Sequence, residues 1–171
     1  MEKAKKSMDI NYAIDCFRQG KMVIVVDDKD RENEGDFIIA AEKTSPDDIN
    51  FMMKEGRGLI CIAIPSEYSN RLNLSPMVID NTAKHQTNFT VSVDAKNGIT
   101  TGISAQDRWQ TLQVLLNDKS IPDDLVKPGH MFPLIAKDGG VLQRAGHTEA
   151  SIDLCKLADL DPIALIVEIV D

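Results

Sequence analysis

The chain has 171 residues, 43% of them hydrophobic, and a formal net charge of -8. That is enough apolar material for one domain, residues 1–171, burying about 70% of its unfolded surface, and the chain is too acidic to offer the basic face that nucleic acid demands. No apolar run resembles a signal peptide or reaches the roughly 18 to 20 residues of a bilayer span, so a cytoplasmic protein with no membrane partner is expected. The three cysteines, Cys16, Cys61 and Cys155, are far apart and each lies in an apolar pattern, as reduced thiols in a reducing compartment would.

In chain order, Ile10, Ala13, Ile14 and Phe17 recur at helical spacing up to Gly20, and Met22 to Val26 is a continuous apolar run fit for a buried strand. Phe37 to Ala41 repeats the strand signal. Ser45, Pro46, Asp47 and Asp48 supply an N-cap, a first-turn proline and first-turn acids for a helix ending at Gly56. Leu59 to Ile64 reads as a buried strand, and Phe89, Val91 and Val93 alternate as a half-buried one should. Ser104 and Asp107 form a capping-box pattern ahead of Trp109, Leu112, Leu115 and Leu116. Phe132 to Ala136, Val141 with Leu142, and Ile163 to Val170 complete the strand candidates, with a helix over His147 to Leu157 between the last two. No repeat or linker divides the chain, and the alternation points to mixed α and β elements in layers.

Two segments carry chemistry. Residues 27–36 hold six carboxylates in ten positions between two apolar runs. If the segment is extended, Asp28, Asp30, Glu32, Glu34 and Asp36 share one face, where repulsion is relieved by a hard cation or by a general acid/base role; a solvated hairpin loop is the plainer alternative. An EF-hand starting at Asp30 fails because its twelfth position is Ala41 and its flanks read as strands.

The second segment, Gly139 to Glu149, reads as a turn, a short strand, a glycine turn and a helix start, where free backbone N–H groups favour an anion. Arg144 and Thr148 would complete a phosphate cradle, and His147 is positioned as a metal ligand or proton carrier; as single residues each is equally an ion pair, a cap or a satisfied polar group. His130 lies between Pro128 and Pro133 just before a strand, stiffened by them or simply exposed on a turn. Glu168 interrupts an apolar run, which places it either on an edge strand or at a site.

VDDKDRENEGDFIIAAE (26–42), GRGLICIAIP (56–65), TNFTVSVDAKNGITTGISAQDR (87–108) and PGHMFPLIAKDGGVLQRAGHTEASIDL (128–154) together resemble the 3,4-dihydroxy-2-butanone 4-phosphate synthase family of riboflavin biosynthesis, with RENEGD followed by RAGHTE as the most specific signature. The resemblance covers the chain from about residue 8 onward. It implies an α+β fold with a mixed sheet flanked by helices, a homodimer whose active sites are shared between subunits, and a lyase that converts D-ribulose 5-phosphate to L-3,4-dihydroxy-2-butanone 4-phosphate and formate through an enediol. It further implies Glu32 and His147 as ligands of divalent metal, magnesium or manganese, with no organic cofactor. Substrate contacts are implied for Arg31, Glu32, Asp36, Arg144, Ala145, Gly146, His147, Thr148 and Glu168. His130 and Glu168, with Glu32, Glu34 and Asp36, are the implied catalytic groups. Cys61 matches a cysteine near the family's site, though its neighbours suit core equally. Members commonly continue beyond the strand holding Glu168, and many are fused to a GTP cyclohydrolase II domain, for which this chain has no room. A metal-dependent phosphosugar isomerase would use the same residue types, and an acidic binding module is the reading outside enzymes.

Overall fold

A computed structural model describes residues 9–170. Six strands, β1 (Val23–Val26), β2 (Gly35–Ala40), β3 (Cys61–Ile64), β4 (Val93–Ala95), β5 (Leu125–Ile135) and β6 (Ala164–Glu168), form one sheet in the order β1-β2-β6-β3-β5-β4. Only β3 and β5 pair in parallel; the other ladders are antiparallel. The sheet is mixed, and helices cover both faces, which makes the fold α+β in three layers.

Strand side chains alternate between faces, and each strand feeds two cores. Ile39, Leu165 and Val167 join Ile62 and Ile64 against α2 (Pro46–Phe51) and α4 (Ala105–Leu116). Ile38, Ala40, Ala164 and Ile166, one residue out of phase, pack with Phe17 of α1 (Ile10–Arg18) and with Leu154 and Cys155 of α5 (His147–Leu157). Burial on both faces is why these strands read as unbroken apolar runs. The α2 start is the expected capping box between Ser45 and Asp48, with Pro46 at the first helical position, and a π-helical turn carries the helix on to Gly56.

Four expectations change. β1 is an edge strand, paired only with β2, so Ile24 and Val26 stand 59% and 65% exposed where a buried strand was expected. Val141 and Leu142 lie in a 3-10 turn because Gly139 and Gly140 both adopt left-handed angles, and Leu142 is left in solvent. Residues 89 and 90 make isolated bridges and the regular strand starts only at Val93. The acidic segment is not extended: Asp28 Oδ1 accepts from Asp30 N–H and the Asp28 carbonyl from Arg31 N–H, which turns the chain and scatters the acids over different directions. A short helix, α3 (Ser66–Arg71), had no apolar periodicity to announce it. No helix among the described residues is long and apolar enough to cross a membrane.

Candidate active site

The pocket opens at the ends of β2, β3 and β6, on the face covered by α5. Asp36 and Glu168 are directly opposite each other in the β2–β6 ladder and therefore project on the same side. Arg31, Glu32, Glu34, Cys61, Thr87, Arg144, His147 and Thr148 complete its polar and reactive wall. The acid loop, the α5 start and Glu168, far apart in sequence, thus meet in one place.

The loop is organised by its first acid. Asp27 Oδ2 accepts from Arg31 Nη1 at 2.7 Å and from Glu32 N–H, and Oδ1 accepts from Glu34 N–H at 2.9 Å. These N–H and guanidinium donors hold its carboxyl below the usual range despite partial burial. Arg31 also pairs with Glu32. One donor atom each of Asp27, Glu32 and His147 lies within 4.8 Å of the others. The sequence suggested Glu32 and His147 as ligands; the geometry places Asp27 beside them as a third candidate, and its place immediately after β1 was the available signal.

The α5 start is built tightly. Gly146 is its N-cap, with no side chain closing the first turn, so backbone N–H groups there remain available to an anion. A Cβ at Gly146 would lie 3.0 Å from Glu149 and overlap the Arg144 guanidinium, so glycine is required for closeness. Arg144 is less free than expected: it donates to Glu149, to the Thr87 hydroxyl and to the His85 carbonyl, which leaves two of its five N–H groups for a ligand. Ala145 belongs to this turn, held between Arg144 and Gly146, whose N–H donates to the Arg144 carbonyl.

Among the described residues, two buried side-chain atoms at the centre lack a hydrogen-bond partner, Asp36 Oδ1 and His147 Nε2. His147 Nδ1 is 3.7 Å from Asp36 Oδ1. Burial, reinforced by Glu168 and the other acids, raises the Asp36 carboxyl to about 7, while burial lowers the His147 imidazole. Glu168 is aimed by the Leu59 N–H, which donates to Oε2 at 3.1 Å; a Cβ at Gly58 would sit 2.6 Å from that oxygen, so the second glycine of GRGL clears its way. Cys61 lines the pocket, but burial pushes its thiol far up, so it serves as a neutral wall and not as a thiolate. A buried imidazole nitrogen and a carboxylate oxygen without partners fit a divalent cation, and carboxylate oxygens are the ligand type that magnesium and manganese take.

His130 is not in this wall. It sits inside β5 and not ahead of a strand: Val93 pairs with Met131 and Asp94 with Val126, so residues 127–130 bulge from the ladder and display the imidazole elsewhere.

Fold and site together define a class: an α+β domain with an acid-rich pocket at strand ends, closed by a helix start beside a histidine. A family model described as 3,4-dihydroxy-2-butanone 4-phosphate synthase matches residues 11–171, and the chain belongs to that family. The riboflavin biosynthesis protein RibBA of Bacillus cytotoxicus is 55% identical over 161 residues, covering 94% of this chain and 40% of that protein. The 3,4-dihydroxy-2-butanone 4-phosphate synthase of Helicobacter pylori is 52% identical over 160 residues, 94% of this chain and 46% of that one. The chain thus spans less than half the length of these relatives. Among solved structures, a 3,4-dihydroxy-2-butanone 4-phosphate synthase in complex with two magnesium ions is similar at TM-score 0.93 and 45% identity, over 96% of this chain and 76% of that one. RibBX, a two-domain synthase from A. baumannii, is similar at TM-score 0.91 and 48% identity, over 96% and 48% of the respective chains.

Proposed function

We propose that the chain, as one domain over residues 1–171, converts D-ribulose 5-phosphate to L-3,4-dihydroxy-2-butanone 4-phosphate and formate, with no organic cofactor, in the cytoplasm. The observation that carries this reading is the pair of unpartnered buried atoms, Asp36 Oδ1 and His147 Nε2, beside Glu32 and Glu168 at the start of α5. Glu32 and His147, joined by Asp27, would hold magnesium or manganese. When bound, such a cation supplies Lewis-acid stabilisation to negative charge on adjacent substrate oxygens.

This chain's own residues do the rest. The N–H groups at the α5 start, the Thr148 hydroxyl and the remaining N–H groups of Arg144 bind the phosphate, with Ala145 and Gly146 keeping the turn close to it. Arg31 orients the hydroxyl end of the sugar from the opposite wall. Asp36, whose carboxyl titrates near neutrality, and Glu168 exchange the protons that make and collapse the enediol, with Glu34 at the rim; each such transfer is typically worth 10² to 10⁴-fold. The water lost after the enediol is returned before formate leaves, so the two products together contain every atom of the substrate.

The reading includes a homodimer in which His130 completes the partner's pocket, because His130 stands outside its own chain's pocket with its side chain 38% exposed. The deciding assay is formate release from ribulose 5-phosphate with magnesium and with a chelator: formate only with metal is expected, and conversion to an isomeric phosphosugar without formate would overturn the lyase. For assembly, inactive His130→Ala is exchanged with inactive Glu32→Gln. Shared sites restore roughly a quarter of wild-type activity under random pairing, whereas no return despite proven exchange would place His130 in its own chain's chemistry.

A further inference from the structure

Outside the pocket, a connected set of polar contacts surrounds His130. Asp94, 4% exposed in β4 opposite the β5 bulge, accepts twice from this one residue: Oδ1 from the His130 backbone N–H at 2.9 Å and Oδ2 at 2.7 Å from Nδ1. The Arg108 guanidinium clamps the other side, donating to the His130 carbonyl at 2.5 Å and to the Ile103 carbonyl at 3.0 Å. A Cβ on Gly102 would lie 2.6 Å from His130 Nδ1 and overlap the Asp94 carboxylate, and this glycine has a φ of +94°. The loop bearing Gly102 is in turn stapled by Asp107, whose carboxylate accepts from the Thr100 N–H, the Thr100 hydroxyl and the Gly102 N–H; these donors hold it down to about 2. The acid expected to reach back to the cap of α4 is spent on this loop instead.

We infer that Asp94 is a positioning residue that fixes the His130 imidazole, in orientation and in tautomer, with its proton on Nδ1 and Nε2 free to accept one. A carboxylate is an acceptor only, so an Nδ1 at 2.7 Å from it must donate. With Nδ1 bound to Asp94 and the side chain 38% exposed, the Nε2 edge is the part of the ring left for a reacting group. The backbone bond from His130 N–H holds the carboxylate in place, and the Nδ1 bond to that held carboxylate restrains the ring from swinging, so the base is presented at a fixed angle. This inference rests on the reading of His130 as a group in the reaction, and the experiment separates the two.

Asp94→Asn is the informative change because the amide oxygen can still accept from the His130 backbone while the amide nitrogen donates to Nδ1 and drives the proton to Nε2. Nitrogen-15 spectra of the histidine rings should show His130 protonated on Nδ1 at neutral charge in the unsubstituted protein and on Nε2 in Asp94→Asn. In the formate assay, kcat should fall by roughly 10² to 10⁴-fold, KM for ribulose 5-phosphate should stay within about twofold, and magnesium affinity should not move, since neither the metal-holding residues nor the phosphate-binding turn is changed. A purely structural role would change the unfolding midpoint without switching the tautomer. Full turnover in His130→Ala overturns the reaction role of His130 and the purpose of the dyad with it. Inactive His130→Ala together with wild-type kcat in Asp94→Asn overturns Asp94 alone. Should Asp94→Asn fail to fold, the spectrum of the unsubstituted protein still decides, because an Nε2–H tautomer there contradicts the inference directly.

Discussion

The acid pocket and the His130 corner use the same chemistry, a carboxylate beside an imidazole, and treat it in opposite ways. At the corner no buried side-chain polar atom of the described residues lacks a partner: Asp94 is doubly satisfied, Arg108 clamps the backbone, and Asp107 locks the loop behind, with only the exposed side of the His130 ring left open. In the pocket Asp36 and His147 face each other at 3.7 Å, each with a buried atom unpartnered. Burying polar groups without partners costs stability, and Asp36 lies opposite another acid besides. The difference separates a scaffold that presents a group from a receptor that waits for one. Orphaned buried polarity marks where a ligand is expected; buried polarity that is satisfied marks a framework that holds one exposed side chain in place.

Breaking the receptor side should have the largest effect. Glu32→Gln keeps the shape of a partly exposed side chain while removing a ligand charge, so metal-dependent turnover should fall by orders of magnitude with the unfolding transition unchanged; near-normal turnover would contradict the pocket assignment. Arg144→Ala tests whether any part of the pocket is scaffold. Its partner Glu149 is 1% exposed, and an abandoned buried carboxylate costs about 3 kcal/mol or more, partly offset here by the Lys137 N–H. Urea unfolding should register this, KM for the phosphosugar should rise, and Arg144→Ala with Glu149→Gln should recover part of the stability. An Arg144→Ala protein as stable as its parent would show the ion pair to be dispensable.

A subtler test concerns Asp36. Its carboxyl titrates near 7 in the fold against 3.8 for the free side chain, so the fold favours the protonated form. The associated stability is fully present below about pH 4 and is lost as pH rises through 7. Asp36→Asn should match its parent in acid and exceed it near pH 8, by at most roughly 4 kcal/mol at 1.36 kcal/mol per pKa unit, when both are compared with chelator present. Equal stability at pH 8 would mean that Asp36 is not buried at a charge cost. The smallest effect is reserved for the corner: Ser104→Ala removes the cap of α4, whose hydroxyl accepts from the Asp107 N–H, and should cost about 1 kcal/mol with no change in KM.

What the sequence disclosed follows from the range of the forces involved. Ile38, Ile62 and Leu165 read as strands because both faces of the sheet are covered, and Ser45 to Asp48 announced α2 through bonds only three residues long. Met22 to Val26 misled because apolarity does not distinguish an edge strand from a central one, and Val141 with Leu142 misled because two left-handed glycines outweigh a pair of β-formers. The charged members of the site, Glu32, Asp36, Arg144, His147 and Glu168, were conspicuous as charges near apolar runs. Asp94, Gly58, Gly102 and Thr87 were not, since each matters only through a partner dozens of residues away, as Asp94 does through His130 and Gly58 through Glu168.

The opposition of Asp36 and Glu168 in the β2–β6 ladder has a consequence for how the protein tolerates error. Their spacing is inherited from backbone pairing and not chosen by rotamers, so neither acid can drift away from the other. A slip of one residue between these strands would turn one of the two toward α2 and α4 and break the pair. A lesion in the middle of β2 or β6, at Ile38 or Leu165 for example, would then reach the chemistry as a fault in alignment, without any change to a residue that lines the pocket. The site is in this sense a gauge of the sheet's register, read out at its far end.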